Sequence, residues 1–293
     1  MSSTPTLITT QAPKILRTPN SPKPKRQMLK GLESVGNNFL LIGAPETGKS
    51  SFIADLAMNG LKTLTIFTDL GNTGLNGMRT YAHTMKKLDA FSENHRYVLF
   101  QREELEEVEE FLTDPDNFLE GFSEFNPDII AWDGFGFHLS MAVTPDVEEL
   151  VNKDSKLDGL GFDSSAMLKG WGYVKNAIIR VLDRFLTIKP GTTKIVTVGC
   201  RYIQVIPDLK DPGARKQLVT DEPDIPTGAK RIIQHGFDLA LVTKVAARDD
   251  GAIKKGEFYY VLAGDYCKKR YRLPDIVPAG AFKLYQEIQK QRK

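Results

Sequence analysis

The chain is poor in the residues that staple, chelate or cleave. Two cysteines, Cys200 and Cys267, occur in 293 residues, without metal-ligand spacing, which leaves neither a disulfide framework nor a zinc module. A reducing, cytoplasmic setting is therefore expected. The four histidines, His83, His95, His138 and His235, are scattered along the chain, so nothing reads as a zinc site or a catalytic triad. No apolar run approaches the length of a membrane span. Pro5, Pro13 and Pro19, together with basic residues, interrupt the N-terminal apolar islands, so no signal-peptide core is expected. No internal repeat is visible. What remains is ordinary globular composition, 41% hydrophobic and 26% charged, enough to bury a sizeable core.

The net charge is only +2, but it is unevenly spread. Residues 1–30 carry Lys14, Arg17, Lys23, Lys25, Arg26 and Lys30 and no acid, and residues 244–293 carry twelve basic and six acidic side chains. The stretch between them is acidic, so a polyanion would meet the two ends first. Solubilising tails would give the same distribution. Residues 1–35, rich in Thr, Pro, Ser and Lys, read as a flexible basic arm.

The chain is organised around Leu40–Asp55, LLIGAPETGKSSFIAD. It contains Gly43-x-x-x-x-Gly48-Lys49-Ser50, the phosphate-loop pattern, preceded by the strand-like run Asn37–Ile42. The spacing of Phe52, Ile53, Leu56 and Ala57 predicts a helix after it. A strand delivering such a loop into a helix N-terminus builds a nest of backbone N–H donors where the helix dipole favours anions. Gly43, Ala44, Pro45, Glu46, Thr47, Gly48, Lys49, Ser50 and Ser51 are the candidate nucleotide-binding residues. Lys49 would reach the β/γ-phosphates and the Ser50 hydroxyl would hold Mg²⁺. Glu46 is expected to be a spectator, because the loop works through backbone donors.

Strand and helix signals alternate from here, the pattern of a mostly parallel sheet covered by helices. Lys62–Asp69 and Arg96–Gln101 read as strands and Gly77–Leu88 as a helix, with a glycine-rich turn at Gly71–Gly74. Arg102–Leu112 reads as one amphipathic helix whose glutamates form a wet face. The strand Pro127–Asp133 ends in an aspartate, the Walker B arrangement, in which Asp133 would hold Mg²⁺ opposite Ser50. Leu139–Asp163 is a long polar connection, and the apolar spacing of Met167–Ile188 predicts a helix. Thr193–Cys200 reads as a buried strand followed by an irregular stretch, Arg201–Ala229. Strand signals return at Phe237–Val245 and Glu257–Gly264, followed by the basic knot Lys268-Lys269-Arg270-Tyr271-Arg272.

The two strand signals between the phosphate loop and Asp133 are expected of the ATPase branch of phosphate-loop proteins. The residue after Asp133 is Gly134, so a water-polarising glutamate next to the metal-binding aspartate is absent. Asp69, at the end of the strand after the loop helix, either orients the water or caps the Gly71–Gly74 turn.

The succession GAPETGKSS, FTDLGNTG and IIAWDGFG resembles the compact RecA-like ATPases encoded by bacteriophages. So does the later course through a Trp171–Tyr173 helix, the TKIVTVGC strand, PDIPTGAKRIIQHGFDLALV and a basic hairpin. The resemblance covers about residues 36–275, and only the phosphate loop is highly specific. It implies an α/β fold, a three-layer RecA-like phosphate-loop NTPase with a mostly parallel central sheet. Residues 276–293 would then be a tail or short helix. It further implies Mg-dependent ATP turnover on single-stranded DNA, in homologous recombination or strand annealing, by a homo-oligomer or filament in the host cytoplasm. A single-strand-binding or replication protein is a possible partner; no membrane is. In such assemblies a cation of one subunit reaches the γ-phosphate held by the next. Lys268, Lys269, Arg270 and Arg272 are the trans-acting or DNA-contacting candidates, with Lys230 and Arg231 behind them. A solvated hairpin face accounts for the same run. Two departures stand out: no glutamate follows the second strand, and the connections at 139–168 and 202–229 are acidic. Two further readings therefore stay open, a nucleotide-gated mediator or loader with little hydrolysis, and a phosphate-loop small-molecule kinase.

Overall fold

A computed structural model describes residues 37–68, 73–139, 164–205, 216–225, 230–249, 253–267, 271–278 and 280–291. All lie within one structural unit, residues 34–293. The N-terminal arm, Asp69, the connection 140–163 and the cations Lys268, Lys269 and Arg270 lie outside the described residues.

Eight strands form one sheet. In chain order they are β1 (Asn38–Ile42), β2 (Thr63–Phe67), β3 (His95–Leu99), β4 (Ile129–Asp133), β5 (Thr193–Val198), β8 (Leu239–Val245), β9 (Phe258–Leu262) and β10 (Ile276–Pro278). They lie in the order β10-β9-β8-β1-β5-β4-β2-β3. The pairings from β8 to β3 are all parallel, and β8–β9 and β9–β10 are antiparallel. β6 (Cys200–Val205) and β7 (Lys216–Pro223) form a separate antiparallel ribbon. That ribbon lies in a stretch whose sequence reads as irregular. A two-stranded ribbon with few core contacts leaves little hydrophobic patterning to read.

The central strands are buried along their whole length, as a parallel sheet covered on both faces requires. Side-chain alternation sorts them into two cores. Leu40, Ile42, Ile66, Ile130, Trp132 and Val196 face one. Phe39, Leu41, Phe67, Ile129, Ala131 and Ile195 face the other. The first core is closed by the short helices α4 (Glu107–Thr113), α5 (Pro115–Phe118), α6 (Phe122–Phe125) and α7 (Phe135–His138) and by the long α8 (Ser164–Thr187). Ile178, Val181, Leu182 and Phe185 line the buried stripe of α8 at i, i+3, i+4 and i+7. The second core is closed by α1 (Lys49–Met58), α2 (Thr73–Thr84), α3 (Leu88–Asn94) and the C-terminal α10 (Ala281–Gln291). The result is a three-layer α/β architecture.

Two helix boundaries differ from the sequence reading. The run 102–112 is not one helix: Arg102–Glu104 is a 3₁₀ turn closed by a Gln101–Glu104 capping box, and α4 starts at Glu107. The box bonds the Gln101 N–H to the Glu104 carboxylate at 2.9 Å, fixing a helix start that the apolar stripe alone does not reveal. The α2 helix begins at Thr73, inside the stretch expected to be a glycine turn. α10 is tied to the loop helix by the Phe282 N–H, which donates to Asp55 of α1 at 2.9 Å.

Candidate functional site

The sequence brings the phosphate loop to the carboxyl ends of β1 and its neighbours. Gly48 has φ +95°, a left-handed conformation that glycine adopts without strain, and it opens α1 without a side-chain cap. The first turn of α1 carries neither an acid nor a side-chain cap, the arrangement in which a helix N-terminus favours an anion. A Cβ on Gly48 would collide with the Phe258 ring at the start of β9, and one on Gly43 with the Thr243 and Thr47 hydroxyls. Both glycines are therefore required by close approach. The Thr47 hydroxyl bonds the Ala44 carbonyl at 2.8 Å and shares a 2.7 Å hydrogen bond with Thr243 of β8, which fixes the curl of the loop. The Lys49 ammonium donates to the Gly43 and Ala44 carbonyls at 2.7 and 2.8 Å. Its charge thus lies inside the loop. Glu46 is exposed, with φ +63°.

Asp133 ends β4 and is 3% exposed. The Ser50 hydroxyl donates to its Oδ2 at 2.7 Å, and the Thr197 hydroxyl donates to its Oδ1 at 2.5 Å. Thr197 in turn accepts from the Gly134 N–H at 3.2 Å. Beneath this, the Trp132 indole donates to Thr68 Oγ1 at 3.0 Å, and the Thr68 hydroxyl donates to the Gly134 carbonyl at 2.9 Å. The strand that separates β1 from β4 in space is β5, which contributes Thr197. β2 and β3, which separate them in sequence, lie beyond β4. The N-terminus of α1 and the neighbouring strand β5 thus converge on the carboxylate that ends β4.

The loop, Asp133, the N-terminus of α2 and Phe258 line a cleft of about 860 Å³. A Cβ on Gly74 would lie 2.9 Å from Asp133 Oδ2, so α2 approaches the carboxylate closely. The cleft also reaches Gly136, Gly199 and Asp224. Asp224 was not among the residues the sequence picked out. It stands in the PDIP stretch, where nothing in spacing or periodicity marks it; only the return of the β6–β7 ribbon brings it to the cleft.

Two cores of hard oxygen, the Ser50 hydroxyl and the Asp133 carboxylate, stand side by side beneath an anion-binding nest and a lysine. That donor set suits Mg²⁺ with a nucleoside triphosphate. Ser50 and Asp133 would hold the ion, which would supply positive charge against the phosphates. Among the other candidates, Arg272 is anchored at the far end of the chain, its N–H bonded to the α10 side chain Gln291 at 2.9 Å. Lys230 and Arg231 open the helix α9 (Lys230–Gly236).

Cys200 lies next to the loop, and burial pushes its thiol pKa up, against the opposing pull of Lys49. His138, one turn beyond Asp133, is buried against Trp132 with ring centroids 5.1 Å apart. Among the described residues its Nδ1 has no hydrogen-bond partner, and burial lowers its pKa to about 4, with Glu109 pulling the other way. His138 is therefore a neutral packing residue.

The three-layer sheet, with β5 between the loop strand and the Asp133 strand, and the phosphate loop over Asp133 together define a RecA-like phosphate-loop NTPase fold. No protein-family model and no curated protein sequence matches the chain. Solved structures similar to it include the flagellar accessory protein FlaH from Methanocaldococcus jannaschii, 13% identical, matched over 83% of this chain and 84% of that one with a TM-score of 0.38. That likeness is too distant to argue from, and the fold assignment rests on strand order and loop geometry. Among the described residues no helix is long and apolar enough to cross a membrane.

Proposed function

We propose that the chain is a Mg-dependent ATPase of RecA-like type that works on single-stranded DNA, in homologous recombination or strand annealing of the bacteriophage kind. One observation carries the nucleotide half of this reading: Ser50 and Asp133 are in contact at 2.7 Å under an uncapped helix N-terminus. No packing need explains a hydroxyl–carboxylate pair at that place, whereas a metal-bound triphosphate uses both groups. The DNA half is supported by the basic ends of the chain and by the β6–β7 ribbon. Tyr202 is 48% exposed there and Val219, opposite it, 53%. An exposed aromatic on a separate two-stranded ribbon offers a base-stacking surface. Arg272 and the neighbouring basic run supply candidate phosphate contacts or a cation for the next subunit's nucleotide.

The test is ATP turnover with and without a single-stranded oligonucleotide, in the wild type and in Lys49→Ala. The expected result is turnover stimulated by the oligonucleotide and lost in the variant. Turnover indifferent to DNA contradicts the recombination reading while leaving the ATPase. A second reading, a nucleotide-gated mediator that scarcely hydrolyses, is favoured by one observation: Gly134 follows Asp133, and both Asp133 oxygens are already engaged by hydroxyls. Tight ATP binding with negligible turnover would support it.

A further inference from the structure

We propose that Asp224 is the carboxylate that orients the attacking water in this cleft, a role for which the sequence nominates Asp69. The inference rests on the nucleotide reading above. Asp133 is unsuited to the task. Its two oxygens accept from Ser50 and Thr197, it is buried, and its position beside Ser50 directs it to a metal. Gly134, the next residue, has no side chain to offer.

Asp224 differs in each respect. Its backbone is fixed on several sides. The Asp224 N–H donates to the Gly199 carbonyl at 2.8 Å, at the end of β5 two residues beyond Thr197. The Ile225 N–H closes back on the Pro223 carbonyl at 2.9 Å, and Arg201 donates to the Ile225 carbonyl at 2.9 Å. Pro223 and Ile225, on either side, are buried, whereas Asp224 is exposed. The turn therefore pins its flanks in the core and turns its middle residue outward, to the cleft it lines. The approach is close on both sides of the β4–β5 ends: a Cβ on Gly199 would lie 3.8 Å from the Asp224 Cβ, and one on Gly136 would lie 3.7 Å from its carbonyl. Among the described residues its carboxylate has neither an ion pair nor a hydrogen bond. A solvated carboxylate held rigidly by its backbone is available to a water molecule without first breaking another contact.

In the step proposed, the water oxygen forms a bond to the γ-phosphorus. The bond from that phosphorus to the β,γ-bridging oxygen breaks, and its electron pair leaves with ADP. Asp224 accepts a hydrogen bond from the water as it attacks, and one proton is released to solvent with the phosphate.

The experiment measures kcat and KM for ATP, ATP affinity by calorimetric titration and thermal midpoint, in the wild type and in Asp224→Asn, Asp224→Glu and Asp69→Asn. The expected result is a kcat at least tenfold lower in Asp224→Asn, with ATP affinity within about twofold and an unchanged midpoint. Asp224→Glu recovers part of the rate, and Asp69→Asn loses less than Asp224→Asn. The proposal is overturned if Asp224→Asn keeps its kcat, if it loses affinity or thermal midpoint along with rate, or if Asp69→Asn carries the loss instead. It is also overturned if the wild type binds ATP without turning it over. Absence of Lys49-dependent ATP binding in the wild type is a different failure, that of the nucleotide reading itself.

Discussion

Asp133 sits 3% exposed on the floor of the cleft, with both oxygens taken by hydroxyls from two neighbouring elements. Asp224 sits on the wall, on an exposed turn, with its backbone tied down and its carboxylate in water. The floor is built from parallel strands buried on both faces, and Ser50, Asp133, Thr197 and the Gly134 N–H are bonded to one another there. The wall is built where a two-stranded ribbon returns to the sheet. The contrast shows how one cleft can hold two kinds of acid. The pre-paired one has a fixed geometry suited to a small cation that tolerates little distortion. The free one suits a ligand as mobile as water.

The largest expected effect comes from breaking the floor at its backbone. Gly48→Val places a β-branched residue at φ +95° and drives its Cβ into the Phe258 ring. A loss of about 3 kcal/mol in stability is expected, with nucleotide binding abolished. Urea unfolding and ATP titration check both. Normal affinity in this variant would mean that the loop geometry is not what binds. A smaller change unpairs the floor without moving the backbone. Thr197→Val leaves Asp133 Oδ1 and the Gly134 N–H without their hydroxyl partner. It should cost about 1–3 kcal/mol of stability, because a buried acceptor and donor lose a bond together. If Thr197→Val is as stable as the wild type, the pairing that distinguishes floor from wall is not energetically real.

The smallest effect is confined to acid. The folded-state pKa of His138 is lowered to about 4 by burial, below the ordinary value of 6.5. The stability linked to this ring is complete above about pH 6.5 and is lost as pH falls towards 4, because the unfolded chain then binds a proton that the folded one refuses. His95 behaves in the same way, its pKa lowered to about 4 chiefly by burial and also by Arg79 and Arg96. His138→Phe keeps a ring against Trp132 and removes the unpartnered Nδ1. Its thermal midpoint should match the wild type at pH 7.5 and exceed it at pH 5. Parallel pH profiles for the two proteins would rule this out.

The floor was legible in the sequence and the wall was not. Gly43 to Ser50 is a motif whose spacing is dictated by the phosphates it wraps, and an apolar strand ending in Asp133 follows from the sheet it enters. The alternating strand and helix signals likewise located the central strands to within a few residues. Thr197 was inside a recognised strand, but its hydroxyl reads as β propensity until Asp133 is seen beside it. Asp224 depends on a contact between Gly199 and a residue 25 positions later, closed by a ribbon with little periodicity. Helix starts were lost for a related reason. α2 begins in a glycine-rich stretch, and a 3₁₀ turn set by the Gln101–Glu104 box precedes α4; both are local backbone choices that apolar spacing does not encode.

The most direct test of this account is the Mg²⁺ dependence of ATP affinity in the wild type and in Asp133→Asn. The amide keeps the size of the side chain but lacks the charge that holds a cation. In the wild type, Mg²⁺ should strengthen ATP binding at least tenfold, and in Asp133→Asn that gain should disappear while the metal-free affinity is retained. An undiminished Mg²⁺ effect in Asp133→Asn would contradict the assignment of the floor as the metal–nucleotide site.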